Sequence, residues 1–361
     1  MNIKMSHYLG QAGSAIFIFF SLIFLFYICP LPGYAENLAE NELIEVNLKL
    51  KGYFPSSDPE KDGLIFRQLG SIASDSDGRV ALLDSLECRV YLFSPSGKLI
   101  SSFGRRGQGP GEFSFPMKVD FYEDFIYVFD PTGRTLQFFK YDGSFVRLTR
   151  LFKSYSDLCI GNDGKIYCSV LMKPGAGPKL IDVLSDDGSL LFSFGDPEKI
   201  DDIPLGYTNE VKVLSMSQSS VFLGFITTGQ VKTYDSQGRL LRNILDVRDY
   251  LKSEFDYNLK QFAKLDRGKK VGYRHLFESV KVFGKGICFL RSTADRYELI
   301  EMNENLALTK RYLYKFKKSP ENISLDFTVR ESPDKDHLEF LLIELNPEAV
   351  RVIILTPEET R

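Results

Sequence analysis

Short runs of apolar and β-branched residues alternate along the chain with turns rich in Asp, Asn, Gly and Ser, and they do so at a fixed interval. A turn followed by a strand-forming run occurs at Asp75–Asp84, Tyr122–Asp130, Gly161–Val170, Ser217–Ile226, Phe283–Arg291 and Lys335–Ile343. A second turn follows each of the first four: Ser94–Leu99, Tyr141–Phe145, Ser185–Leu190 and Asp235–Leu240, with a weaker copy at Asn303–Leu306. From Gly97 to Gly143 is 46 residues, to Gly188 another 45 and to Gly238 another 50. Gly, Asn and Asp supply the positive φ that tight hairpins need. Each repeat therefore reads as four antiparallel strands, A to D, joined by hairpins. Six such units, none able to bury its own faces, predict an all-β, six-bladed β-propeller of four-stranded antiparallel blades, a closed ring with protected edges.

The ends of the chain indicate how the ring closes. The sixth repeat offers only three strands, at Ile323–Val329, Leu338–Ile343 and Val350–Leu355. The segment Leu43–Leu50 precedes the first repeat and alternates weakly. It is expected to supply the missing outer strand of the last blade.

Upstream of that strand the pattern changes. Residues Ala15–Ile28 form an uninterrupted apolar core, and no charged residue occurs between Lys4 and Glu36. Gly33-Tyr34-Ala35 places small residues where a signal peptidase cuts, so residues 1–35 read as a secretory signal peptide. The mature protein, 36–361, is then a single domain, exported to the periplasm or secreted and without a stable membrane span. A retained N-terminal anchor is the alternative, though a spanning helix needs about 20 apolar residues. Removing residues 1–35 takes one lysine from the 45 basic residues and none of the 48 acidic ones. The slightly acidic balance lacks the basic excess of a nucleic-acid binder. Thirty Phe and 18 Tyr provide an ample core with a bias towards strands.

Leu99–Pro116 carries the phrase Phe103-Gly-Arg-Arg-Gly-Gln-Gly-Pro-Gly-Glu-Phe113, followed by a strand and by Phe121–Asp130 with Asp124-Phe125 where Asp-Gly is usual. In these features the chain resembles the NHL-repeat propellers, and among them the exported bacterial six-bladed members. The match is close over 72–147, fair over 154–195 and confined to strand pattern afterwards. The resemblance implies a ligand- or protein-binding propeller. It does not exclude catalysis, because the group also contains lyases and hydrolases and fold does not fix function.

Strand alternation places all B–C and D–A connections on one face of the ring and the short A–B and C–D turns on the other. The turn face is expected to be plain. The loop-rich face receives Gly104–Glu112, Lys173–Pro178, the acidic Gly195–Asp202 and an insertion at about 246–278 between blades 4 and 5. Within the insertion, Leu251, Phe255, Leu259 and Phe262 share one side of a helix, which either packs over the end of the propeller or gates its channel. A protein, peptide or glycan ligand is expected on this face, since loops on a rigid scaffold carry function. The candidate contacts are Arg105, Arg106 and Gln108 on the glycine-rich loop, Arg134 at the head of a C strand, and Arg274 at the end of the insertion.

Little chemistry is legible beyond this, and no catalytic residue can be named. Gly107–Gly111 is not a phosphate loop: Pro110 removes a donor and a strand, not a helix, follows. Asp84 and Asp130 end B strands just before Arg89 and Arg134, and these pairs are expected to staple loops. The mature chain has only two histidines, His275 and His337, so no histidine-rich metal site is expected and no cofactor is predicted. Calcium on channel carboxylates such as Asp201 and Asp202 belongs to an alternative reading as a hydrolase or lyase. Cys159 and Cys168 flank the Asn162–Lys165 turn. A two-residue loop sets them opposite one another and permits a disulfide; a three-residue loop sets Cys159 opposite Tyr167 instead.

Overall fold

The computed structural model describes residues 43–55, 64–171, 179–200, 205–216, 220–244, 251–262, 264, 272, 274–293, 295–316, 323–345 and 350–358. The proposed signal peptide, Lys173–Pro178 and Asp201 and Asp202 lie outside the described residues. The protein is all-β, built of the six four-stranded blades that the repeats predict. Blade 1 comprises Leu69–Ser74, Val80–Asp84, Arg89–Phe93 and Leu99–Phe103; blade 2 Lys118–Tyr122, Phe125–Asp130, Thr135–Phe139 and Phe145–Arg150. Blade 3 comprises Tyr155–Ile160, Ile166–Val170, Ile181–Leu184 and Leu190–Phe194; blade 4 Val211–Met216, Ser220–Phe225, Val231–Asp235 and Leu240–Ile244. Blade 5 is Ser279–Phe283, Gly286–Ser292, Arg296–Met302 and Leu308–Lys315, and Ile323–Glu331, Leu338–Leu345 and Val350–Pro357 are the chain's last three strands.

The N-terminal strand Ile44–Phe54 closes the ring, and it does more than the sequence suggests. Its second half, from Leu48 to Phe54, pairs antiparallel with Val352–Pro357 and completes blade 6 as expected. Its first half, Ile44 to Asn47, pairs parallel with Lys310–Leu313 of blade 5. One strand thus fuses the last two blades into a single eight-stranded sheet. Glu45 and Arg311 form an ion pair across the parallel segment. The innermost strands of blades 6 and 1 then meet.

The strength of the ring lies in its joints. B and C strands are sandwiched between neighbouring blades, so Val80–Asp84 and Thr135–Phe139 are buried along their whole length, whereas the outer strand Leu99–Phe103 is largely exposed. Burial on both faces explains why these strands read as continuous apolar runs. Aromatic pairs bridge successive blades: Phe103–Phe139 at 4.5 Å, Phe194–Tyr234 at 4.9 Å, Tyr312–Phe340 at 4.8 Å and Phe54–Phe93 at 5.5 Å between ring centroids. Each such pair adds about 0.5–1.5 kcal/mol beyond its area.

The recurring glycines of the C–D turns have a second cause besides hairpin geometry. Gly97 and Gly188 have φ of 84° and 89°. A Cβ at Gly97 would stand 2.5 Å from the Pro55 carbonyl, and one at Gly188 would stand 2.4 Å from that of Arg150. In both cases the turn presses on the end of the preceding blade's outer strand, where no side chain fits.

Candidate functional site

The six A strands line the central channel, and the two ends of the channel differ. Near the loop-rich face the channel is a belt of paired charges. The Lys118 ammonium lies 3.0 Å from an Asp157 carboxylate oxygen and donates to the Leu158 carbonyl at 2.6 Å. Lys281 lies 3.2 Å from Asp326 and donates to the Ile72 carbonyl at 3.0 Å. Asp326 also accepts from Ser279 Oγ at 2.5 Å, Ser71 Oγ at 3.1 Å and the Ile72 amide at 3.0 Å, so it ties blades 5, 6 and 1 together. Burial alone would lower the Lys118 pKa, but Asp157 and Asp120 outweigh it and push it up to about 12. What space remains here is a cavity of about 80 Å³ that Lys212 and Glu278 also line.

The opposite end opens into a cavity of about 430 Å³, bounded by Ser74, Asp120, Phe121, Tyr122, Glu123 and Asn162 with Lys281 at its floor. Ser74 and Tyr122 end A strands, Asp120 and Phe121 precede Tyr122 in its strand, and Glu123 and Asn162 lie in A–B turns. The expectation of a plain turn face is therefore wrong. The reason is steric: Lys118, Lys212 and Lys281 crowd the loop-rich end of the channel, whereas the other end is bounded by Ser74, Thr328 and residues at and beside the A–B turns.

On the loop-rich face, Gly104–Phe113 folds back on itself as a two-strand parallel clip, with Arg105–Arg106 against Glu112–Phe113. The Glu112 carboxylate is its centre. It accepts from the amides of Gln108 at 3.1 Å and Gly109 at 3.0 Å and pairs with Arg105 at 2.8 Å. The Gly109 amide, Arg105 and the Gln108 amide together hold its pKa below the usual carboxylate range. The loop thus supplies its own anion. Gln108 contributes its amide to this arrangement, and Arg106 reaches the carbonyls of Leu86 and Ser114 at 2.9 and 3.3 Å.

The carboxylates of Asp84 and Asp130 do staple loops, but not through Arg89 and Arg134. Asp84 accepts from the amides of Arg67, Gln68, Leu86 and Glu87, and Asp130 from those of Ser114, Phe115 and Gly133. Each buried carboxylate ties its own B–C turn to the segment that enters its blade. The guanidiniums are left at the rim, Arg89 donating to Ser102 Oγ at 3.4 Å and Arg134 exposed with φ of 52°. Arg150 follows closely, because the Leu151 amide donates to the Arg134 carbonyl at 2.9 Å. Leu86, Met117 and Phe152 are exposed on the same face.

The insertion forms the predicted helix, Lys252–Phe262. Leu251 and Phe262 are buried, and Leu251 joins Phe222, Phe277 and Phe289 in the core between blades 4 and 5. The helix packs on that joint. Asn258, which periodicity did not single out, is its anchor. It donates to the carbonyls of Thr227 and Arg274 at 2.9 and 2.8 Å and accepts from the Arg274 amide at 2.8 Å. The Arg274 guanidinium lies 4.3 Å from the centre of the Tyr257 ring, so this candidate is placed by the insertion and not with Arg105, Arg106 and Arg134.

Of the two registers open to Cys159 and Cys168, the structure has the one that does not permit the disulfide. Cys159 pairs with Tyr167 and Cys168 with Leu158, so the two thiols point to opposite faces of the sheet. Both are free and buried, and burial pushes both thiols well above the ordinary range. Among the described residues, no group of three or more His, Cys, Asp or Glu is placed to hold a metal. No helix among them is long and apolar enough to cross a membrane.

The ring of blades defines the class of protein, and the comparisons agree. Residues 61–171 match the model of the DUF5128 family, described as a 6-bladed beta-propeller. No curated protein sequence matches the chain. Among solved structures, the chain is similar to a putative exported protein from Bacteroides fragilis, with 14% identity, a TM-score of 0.57, and 88% of this chain and 100% of that one covered. It is also similar to a streptogramin B lyase, with 12% identity, a TM-score of 0.53, and coverage of 86% and 98%. At these identities the likeness is one of fold.

Proposed function

We propose that the protein is an exported, non-catalytic propeller that binds an acidic protein or peptide segment at the rim of its loop-rich face. The single observation that carries this reading is the set of arginines at the loop-rich rim of blades 1 and 2, of which Arg106, Arg134 and Arg150 are exposed and Arg89 is half-buried. Arg89, Arg106, Arg134 and Arg150 have no carboxylate ion-pair partner among the described residues, and Leu86, Met117 and Phe152 stand exposed among them. Arg, Met and aromatic side chains are the types enriched in protein interfaces. Arginine forks favour carboxylates. The glycine-rich phrase at Leu99–Pro116 and the apolar N-terminal segment support kinship with exported NHL-like propellers, and the Bacteroides fragilis protein, described as a putative exported protein, has a similar fold. Reading the channel instead as a cation-dependent hydrolase or lyase is disfavoured, because the ammonium groups of Lys118 and Lys281 already sit on Asp157 and Asp326.

Selection of displayed peptides against the mature chain tests this. The enriched sequences should combine Asp or Glu with an apolar anchor, and their affinity should fall as salt rises. Arg89→Glu with Arg134→Glu should weaken them by roughly tenfold or more at an unchanged melting temperature. Peptides that bind the double variant as well as the wild type would refute the assignment.

A further inference from the structure

We propose that the wide mouth of the channel on the turn face is a second binding site, for a small organic cation: a primary amine on an apolar or aromatic body. This inference is independent of the arginine rim, which lies on the opposite face. The cavity, at about 430 Å³, is of a size that holds a small molecule.

The ligand class follows from a census of donors and acceptors. The Ser74 and Thr328 hydroxyls and the Lys281 ammonium of the wall are already engaged. Ser74 and Thr328 bond one another at 2.7 Å, and Ser74 Oγ lies 3.1 Å from the Val329 carbonyl. The Lys281 ammonium is held by Ile72 and Asp326. Acceptors remain in excess. Asp120 accepts the Phe121 amide at 2.9 Å and a hydrogen bond from the Tyr127 hydroxyl, and Glu123 accepts from the Tyr122 hydroxyl. Each carboxylate keeps further acceptor sites, and neither forms an ion pair among the described residues, although the Lys118 charge acts on Asp120. An anion would meet two carboxylates, and a bare metal ion would find too few ligands among the described residues. A donor-rich monocation meets both carboxylates, and Phe121, Tyr122 and the exposed Val282 offer apolar surface to its body. Aromatic faces near an ammonium add to the attraction.

Calorimetric titration of the full chain with tyramine tests the site, with tyrosol, the same body carrying a hydroxyl for the amine, as the neutral comparator. Tyramine should bind at millimolar concentration or below, and tyrosol about tenfold or more weakly, the effect of losing one charge-assisted hydrogen bond. Asp120→Asn should weaken tyramine by a similar factor. Glu123→Gln, on an exposed turn where folding is not at stake, should weaken it by a smaller one. Arg134→Glu should leave tyramine binding unchanged, so failure here is distinguishable from failure of the rim. Absence of tyramine binding at millimolar concentration, equal binding of tyrosol, or wild-type affinity in both carboxylate variants overturns the proposal.

Discussion

Phe54→Ala probes the closure of the ring at its most exacting point. Phe54 is the last residue of the N-terminal strand and is only 2% exposed. Its ring meets Phe93 of blade 1 edge-on at 5.5 Å, and the Arg330 guanidinium carbon lies 5.0 Å from its centroid. It therefore belongs to the core between blades 6 and 1, with Leu69, Leu82 and Val352. Truncating a buried Phe to Ala costs about 3–5 kcal/mol, through lost transfer energy and the cavity left behind. Unfolding entropy near 2.1 cal/mol/K per residue, over a domain of about 300 residues, converts this into a fall in melting temperature of roughly 5–8 °C. Leu50→Ala, on the exposed side of the same strand, should change stability by less than about 0.5 kcal/mol. Circular-dichroism melts and urea titrations of both variants give the comparison. If Phe54→Ala melts within a degree of the wild type, closure by this strand is not what holds the ring, and the account of the joints fails with it.

Asp130→Ala removes the acceptor of three amide donors and should cost about 2–3 kcal/mol in urea unfolding, with hydrogen exchange quickening at Ser114 and Gly133. Lys118→Met leaves Asp157 without its ammonium and should destabilise by about 3–5 kcal/mol; restoration of stability on adding Asp157→Leu would show that the pair, not the lysine alone, matters. Gly188→Ala combines a positive φ with a backbone clash and should cost more than about 1 kcal/mol, read from the same melts. His275 has its pKa raised by its hydrogen bond to Glu278 against the opposing effect of burial. A raised folded-state pKa means stabilisation present below the ordinary value and lost as pH rises through the raised one. His275→Gln should therefore flatten the pH dependence of melting between about pH 6 and 8, and an unchanged slope would show the pair to be inert.

The fold was legible in the sequence because each blade repeats the same local demand. The Asp-Gly and Ser-x-Gly turns, the apolar runs of the B and C strands and the three-stranded last repeat fixed the number of blades and the role of Leu43–Leu50. The insertion helix was legible from its period. Other features depend on pairs of residues that sequence spacing cannot rank. The Cys159 and Cys168 register hung on a single residue of loop length. Asp84 and Asp130 lie near arginines in the chain, yet it is part-buried backbone amides of the turns and entering segments that claim those buried carboxylates. Lys118 and Asp157 sit on different blades, as do Lys281 and Asp326, and only closure of the ring presses each pair into one channel. The glycines of the C–D turns were visible as hairpin formers, but the contact of Gly97 and Gly188 with the preceding blade's backbone was not. The sequence by itself determined what each blade is, through local propensity and periodicity. Tertiary structure alone decided which charges cancel and which cavity stays open, because these depend on distances between blades that no single repeat encodes.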